Sequence, residues 1–76
     1  MNIKRHTIIE EYTGKDGVRV VVAFYYPSTT VNVAAYDKDG KHIFGGAYNS
    51  RAGAMIGIGR RFGKVHFDKM YDKKGW

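Results

Sequence analysis

Arg60 and Arg61 stand side by side in RAGAMIGIGRRFGK, residues 51–64, a segment that also sets four glycines among apolar residues. Each guanidinium can pair bidentately with a carboxylate or a phosphate, so the chemistry on offer is recognition of an anionic surface. Arg51 and Lys64 belong to the same segment, and Lys69, Lys73, Lys74 and Trp76 follow in KMYDKKGW. Cations interleaved with aromatic rings can stack on bases or fill a partner's pocket.

Other chemistries meet obstacles in the residues themselves. In GIGRRFG, Phe62 occupies the place of the third glycine of a dinucleotide loop, and no Ser or Thr follows Gly63-Lys64 as a Walker loop requires. Asp37 and Asp39 before Gly40 begin like a calcium loop, but Lys41 and Tyr48 stand where ligands should be, so this is a hairpin turn. RRFGKVHF, residues 60–67, fits the single-strand RNA octamer at Arg60, Phe62, Gly63, Val65 and Phe67, yet Arg61 and Lys64 replace its first glycine and a stacking aromatic. His66 and Asp68 share a strand face at alternate positions and would serve as a base with its orienter or as two metal ligands. Histidines are common on half-exposed strands, Ser28 and Ser50 read as turn and cap residues, and there is no cysteine nucleophile. Glu10 and Glu11 are adjacent and point to opposite faces of a strand. The expectation is a protein that is not an enzyme and carries no cofactor or metal.

Composition narrows the partner. The 76 residues carry a net charge of +6, divided unevenly. Residues 1–50 have six Lys/Arg against five Asp/Glu, whereas residues 51–76 have seven against two. Such asymmetry suggests an anionic partner, nucleic acid being the commonest. With 43% hydrophobic and 14% aromatic residues the chain is too apolar to be disordered, and Val20 to Tyr26, its longest apolar run, is too short to span a bilayer. MNIKRHTII lacks the apolar core of a signal peptide, and the lack of cysteine allows a reducing compartment, so the protein reads as cytoplasmic.

These residues need elements to position them. Lys4 to Tyr12 alternates loosely and reads as a first strand, ended by TGKDG. Val18 to Tyr26 is apolar on both parities, the pattern of an interior strand. After Pro27, Ser28 and Thr29, Thr30 to Tyr36 makes a third strand, Asp39-Gly40 a hairpin turn, and Ile43 to Tyr48 a fourth strand weakened by Gly45-Gly46. Asn49-Ser50 can cap a helix that Gly63 ends, and Val65 to Tyr71 alternates as a last strand. The order is ββββαβ: a single α+β domain over 1–76, a mostly antiparallel sheet of four to five strands with one helix packed on one face.

On the helical wheel Met55, Ile56, Ile58 and Phe62, with Ala52 and Gly59, fall on the side expected to meet the sheet. The core then joins Val20, Val22 and Phe24 to Met55, Ile56 and Phe62. Gly53, Gly57, Arg60 and Arg61 fall outside with Ala54, a low-relief basic surface that invites close contact. Arg60, Arg61, Lys64, Lys73, Lys74 and Trp76 form one surface with it if the last strand runs back beside the helix. A small core and open strand edges also allow a homodimer.

The YDKDGKHIFGGAY hairpin followed by the NSRAGAMIGIGRRFG helix resembles, over residues 18–62, the sheet-plus-helix DNA-binding modules of plant AP2 factors and integrase arm-binding domains, which place a three-stranded sheet in the major groove. The whole chain resembles small phage-encoded inhibitors, notably anti-CRISPR proteins, in size and in its sheet-plus-helix pattern. That second resemblance implies an inhibitor acting in the cytoplasm of a bacterial host by occupying a protein or ribonucleoprotein surface. The first implies a basic module that binds DNA or RNA directly.

Overall fold

The computed structural model describes residues 6–26 and 28–74. It contains strands β1 (His6–Thr13), β2 (Arg19–Tyr26), β3 (Val31–Tyr36) and β4 (His42–Tyr48), helix α1 (Arg51–Phe62) and strand β5 (His66–Lys74), with one turn of 3-10 helix at Lys15–Gly17. The expected ββββαβ order is present, and the fold is α+β. Lys4, Arg5, Pro27 and Trp76 lie outside the described residues.

All five strands join one sheet in the order β4-β3-β2-β1-β5, and every neighbouring pair is antiparallel. Three consecutive hairpin connections build the first four strands. The first turns through Asp16 (φ 58°) and Gly17 (φ 76°), left-handed positions that aspartate and glycine tolerate. In the third, the Asp37 carboxylate accepts hydrogen bonds from the backbone N–H groups of Asp39 and Lys41, both at 2.9 Å, while Gly40 turns at φ 82°. This carboxylate closes a hairpin, as DKDGK implies.

β2 sits in the middle of the sheet with a strand along each edge; its helix-side residues Val20, Val22 and Phe24 are buried, while Val21 and Tyr25 on the other face are half-buried. Val20, Val22 and Phe24 face the helix with Tyr12, Val31, Val33 and Ala35, and these join Ala54 and Ile58 of α1 in the core. Ile58, Val20 and Val22 are the largest fully buried side chains. Each contributes about 1.5–3 kcal/mol by leaving water.

The helix meets the sheet through a different stripe from the one its apolar residues suggest. Ala54 is fully buried, not outward, and Ile56 is 58% exposed, not part of the core. Met55 and Phe62 do pack against the core, as expected. Ala52 and Gly59 are exposed, whereas Gly53 and Gly57 are half-buried. The reason is close approach. A methyl built on Gly57 would lie 2.8 Å from Cζ and 2.9 Å from Cε2 of Tyr48, while one on Gly59 would meet nothing within 4 Å. Rotating the helix to bury Ile56 would give up the bare backbone that seats against the Tyr48 ring.

The last strand departs from expectation in position. It pairs with β1, at the opposite edge of the sheet from β4, whereas α1 lies over β3 and β4. Its register slips between Glu11 and Tyr12, which pair with Lys69 and Phe67 and leave Asp68 as a bulge. Across that bulge His66 shares a side of the sheet with Lys69 and Tyr71.

Candidate functional site

Where α1 runs beside the β4 edge, an open cleft of ≈ 550 Å³ is lined by Phe44, Tyr48, Gly57, Arg60 and Arg61. Strand alternation puts Phe44 and Tyr48 on the helix side of β4, opposite Ala35 and Val31 of β3. The Phe44 ring meets Phe62 edge to face with centroids 5.9 Å apart, and the Arg61 guanidinium lies 4.3 Å above it. That cation–π contact holds Arg61 against the aromatic floor without consuming its hydrogen-bond donors. Gly63 (φ 72°) ends the helix, and its N–H donates to the Gly59 carbonyl at 3.0 Å. Arg60 and Arg61 occupy the last turn, where cations complement the helix dipole.

Both arginines are exposed, and neither has a carboxylate partner among the described residues, whose ion pairs are Arg19–Glu11, Arg51–Glu10 and Lys69–Glu11. Among the described residues, then, Arg60 and Arg61 carry no carboxylate partner, and Arg61 lies on an aromatic floor beside a sheet edge.

Arg51 does something else. Its Nη1 donates to Glu10 Oε2 at 2.7 Å, Tyr12 Oη donates to Glu10 Oε1 at 2.5 Å, and the guanidinium lies 5.3 Å from the Phe24 ring centre. Burial pushes the Glu10 carboxyl up, but the Arg51 and Tyr12 hydrogen bonds and the Arg51 charge outweigh it and hold the group below its ordinary value. Burial first, then the Glu10 hydrogen bond and charge, pushes Tyr12 up. A cation in the first turn opposes the helix dipole, so this triad explains why Arg51 is there: it fastens the helix N-terminus to β1. Gly53 has a local task as well, since its N–H donates to the Ser50 side chain at 3.1 Å as the N-cap bond.

The remaining expected residues scatter. Lys64 is exposed just past the helix. Lys69 lies on β5 with Nζ 3.9 Å from Glu11 Oε2, and Lys73 and Lys74 end that strand. The surface expected to join the helix arginines to Lys73 and Lys74 is therefore divided between opposite edges of the sheet. Gly57 lines the cleft, and the Tyr48 ring packs where a side chain on it would lie.

The face without a helix carries a second set of side chains. Ile9, Val21, Ala23, Ala34, Gly45 and Ala47 form a shallow floor, and strand parity puts Tyr25, Tyr36 and Tyr71 on the same side. Glu11 is buried there beneath Arg19 and Lys69.

Sequence reasoning missed the burial of both glutamates and the aromatic floor under Arg61. Two signals were available: an arginine in the helix position least suited to one, and the two-residue spacing of Glu10 and Tyr12. Comparison with protein-family models, curated proteins and solved structures finds no match for this chain. No helix among the described residues is long and apolar enough to cross a membrane.

Proposed function

We infer that the chain is a small non-enzymatic binding protein that occupies a surface of a nucleic-acid-processing complex, an inhibitor of anti-CRISPR type working in the cytoplasm of a bacterial host. The observation that supports this reading is the pair Arg60 and Arg61, exposed at the cleft beside Phe44 and Tyr48 with no carboxylate partner among the described residues. Desolvated guanidinium pairs and aromatic rings are the groups that carry most of the energy in protein interfaces. The net charge of +6 suits an acidic or ribonucleoprotein partner.

The helix-free face favours a second reading, direct binding of single-stranded nucleic acid. Tyr25, Tyr36 and Tyr71 on one side of a sheet, with Arg19 and Lys69, could stack bases and neutralise phosphates. Affinity capture from native cell extract, with and without nuclease, separates the two. The inhibitor reading expects a nuclease-resistant complex that Arg60→Glu with Arg61→Glu abolishes. Capture that nuclease removes, with log affinity falling steeply in log salt, would transfer the conclusion to nucleic acid.

A further inference from the structure

The sheet has two edges, and the sequence treats them differently. On β5, HFDKMYDKK, Asp68, Lys69, Asp72, Lys73 and Lys74 are charged, the usual device for keeping another strand from pairing. On β4, HIFGGAY, there is no Asp, Glu, Lys, Arg or Pro. Among the described residues no strand pairs with the outer side of β4, whose one neighbour is β3. Its irregularity falls at Ile43, leaving Phe44–Tyr48 in regular register, a stretch of roughly 16 Å at the usual rise per residue.

We propose that β4 is a docking edge that takes, as a sixth antiparallel strand, an extended partner segment with acidic side chains at every second position. Strand pairing supplies the backbone hydrogen bonds, and alternation decides where side chains go. One set falls on the helix side, next to Phe44, Gly46 and Tyr48, within the reach of Arg60 and Arg61. The other falls on the helix-free side next to Gly45 and Ala47, where small or apolar residues fit. Carboxylates are therefore required on the first set and uncharged residues on the second.

A second copy of this chain is the poorer occupant. Antiparallel pairing of β4 with itself puts both helices on the same side of the joined sheet, and it adds a second Arg60–Arg61 pair to that side while β4 offers no carboxylate to either. An acidic strand satisfies the same guanidiniums. This inference rests on the reading that Arg60 and Arg61 form the partner surface, and it names the chemistry of what they meet.

The test uses the full chain and two short capped peptides, one alternating glutamate with valine and threonine, the other with lysine in place of glutamate. Calorimetry measures affinity, and amide exchange locates the contact. The glutamate peptide should bind at least about tenfold more tightly than the lysine peptide, with new protection concentrated in β4. Ala47→Glu, at an exposed position of the edge, sets a charge against the uncharged side of either peptide and should weaken both at least about tenfold with the melting temperature unchanged, and Arg60→Glu with Arg61→Glu should reverse the preference. Three results overturn the proposal: equal binding of the two peptides, protection outside β4, or β4 protected in the free protein by a dimer seen in sedimentation. A single-stranded oligonucleotide provides the separating arm. If it binds through Arg60 and Arg61 while β4 amides stay unprotected, strand addition fails but the partner surface stands. If neither probe responds to the arginine reversal, both fail.

Discussion

Gly57→Ala sets helix propensity against packing, and the structure decides the sign. Alanine in place of an interior helical glycine gains about 1 kcal/mol from propensity alone. Against this, the new methyl would sit 2.8 Å and 2.9 Å from two ring carbons of Tyr48 and closer still to its hydroxyl. The ring would have to retreat by roughly 1 Å to restore an ordinary carbon contact. Tyr48 is half-buried and packs against the core, so it cannot swing away freely. Overpacking of this kind costs about 1–3 kcal/mol. The expected net result is a loss of about 1 kcal/mol, or roughly 4–8 °C in melting temperature for a domain of this size. In a Tyr48→Ala background the obstacle is gone, and Gly57→Ala should then stabilise by about 1 kcal/mol. The double-mutant cycle, read from urea denaturation at constant slope, should give a coupling of about 2 kcal/mol. If Gly57→Ala stabilises equally in both backgrounds, the ring does not rest on that glycine and the helix placement is wrong.

Ile58→Ala should cost about 2–5 kcal/mol, because the side chain is fully buried, whereas Ile56→Ala should change stability by no more than about 0.5 kcal/mol; thermal melts of the two would expose a helix docked by its other face. For Glu10, the folded carboxyl lies below its ordinary value of 4.5, so its contribution is present above that value and is lost as pH falls through the folded one. Arg51→Ala leaves burial less opposed, so the acid transition measured by circular dichroism should move to higher pH, and an unmoved transition would mean that Arg51 does not hold Glu10 ionised. Arg60→Glu with Arg61→Glu should keep the melting temperature within a few degrees of wild type while weakening partner binding by about 2 kcal/mol or more; loss of folding instead would show that the arginines serve the helix end alone.

Much of the architecture was legible because its signals are local. A strand apolar on both parities had to be interior, Asp37 and Gly40 had to turn a hairpin, and Ser50 had to cap a helix, since each depends on residues within a few positions. The placement of the last strand was less accessible. Val65 to Tyr71 alternates whether it pairs beside the helix or at the far edge, and the choice is made by which strand has a free side. The bulge at Asp68 is likewise a property of the β1–β5 pair and has no mark in either strand alone.

The helix face was misread for a reason that also made the cleft. A hydrophobic wheel weighs residues by apolarity, which favours Ile56, but contact with a sheet is limited by how near the backbones can come. Ala54 and Gly57 admit Val31, Val33 and Tyr48 where isoleucine would hold them off, so the small residues win the interior and Ile56 is left outside. The same rotation tilts Arg61 toward β4, close enough to lie on the Phe44 ring, and turns a solvated helix end into a lined cleft beside an uncharged strand edge. Arg51, one end of the helix away, is consumed by Glu10 and Tyr12. The two ends of one basic helix thus differ: Arg51 fixes the helix on the sheet, and Arg60 and Arg61 have no carboxylate partner among the described residues. Reversing charge at the first end should therefore damage the fold, and reversing it at the second should damage binding.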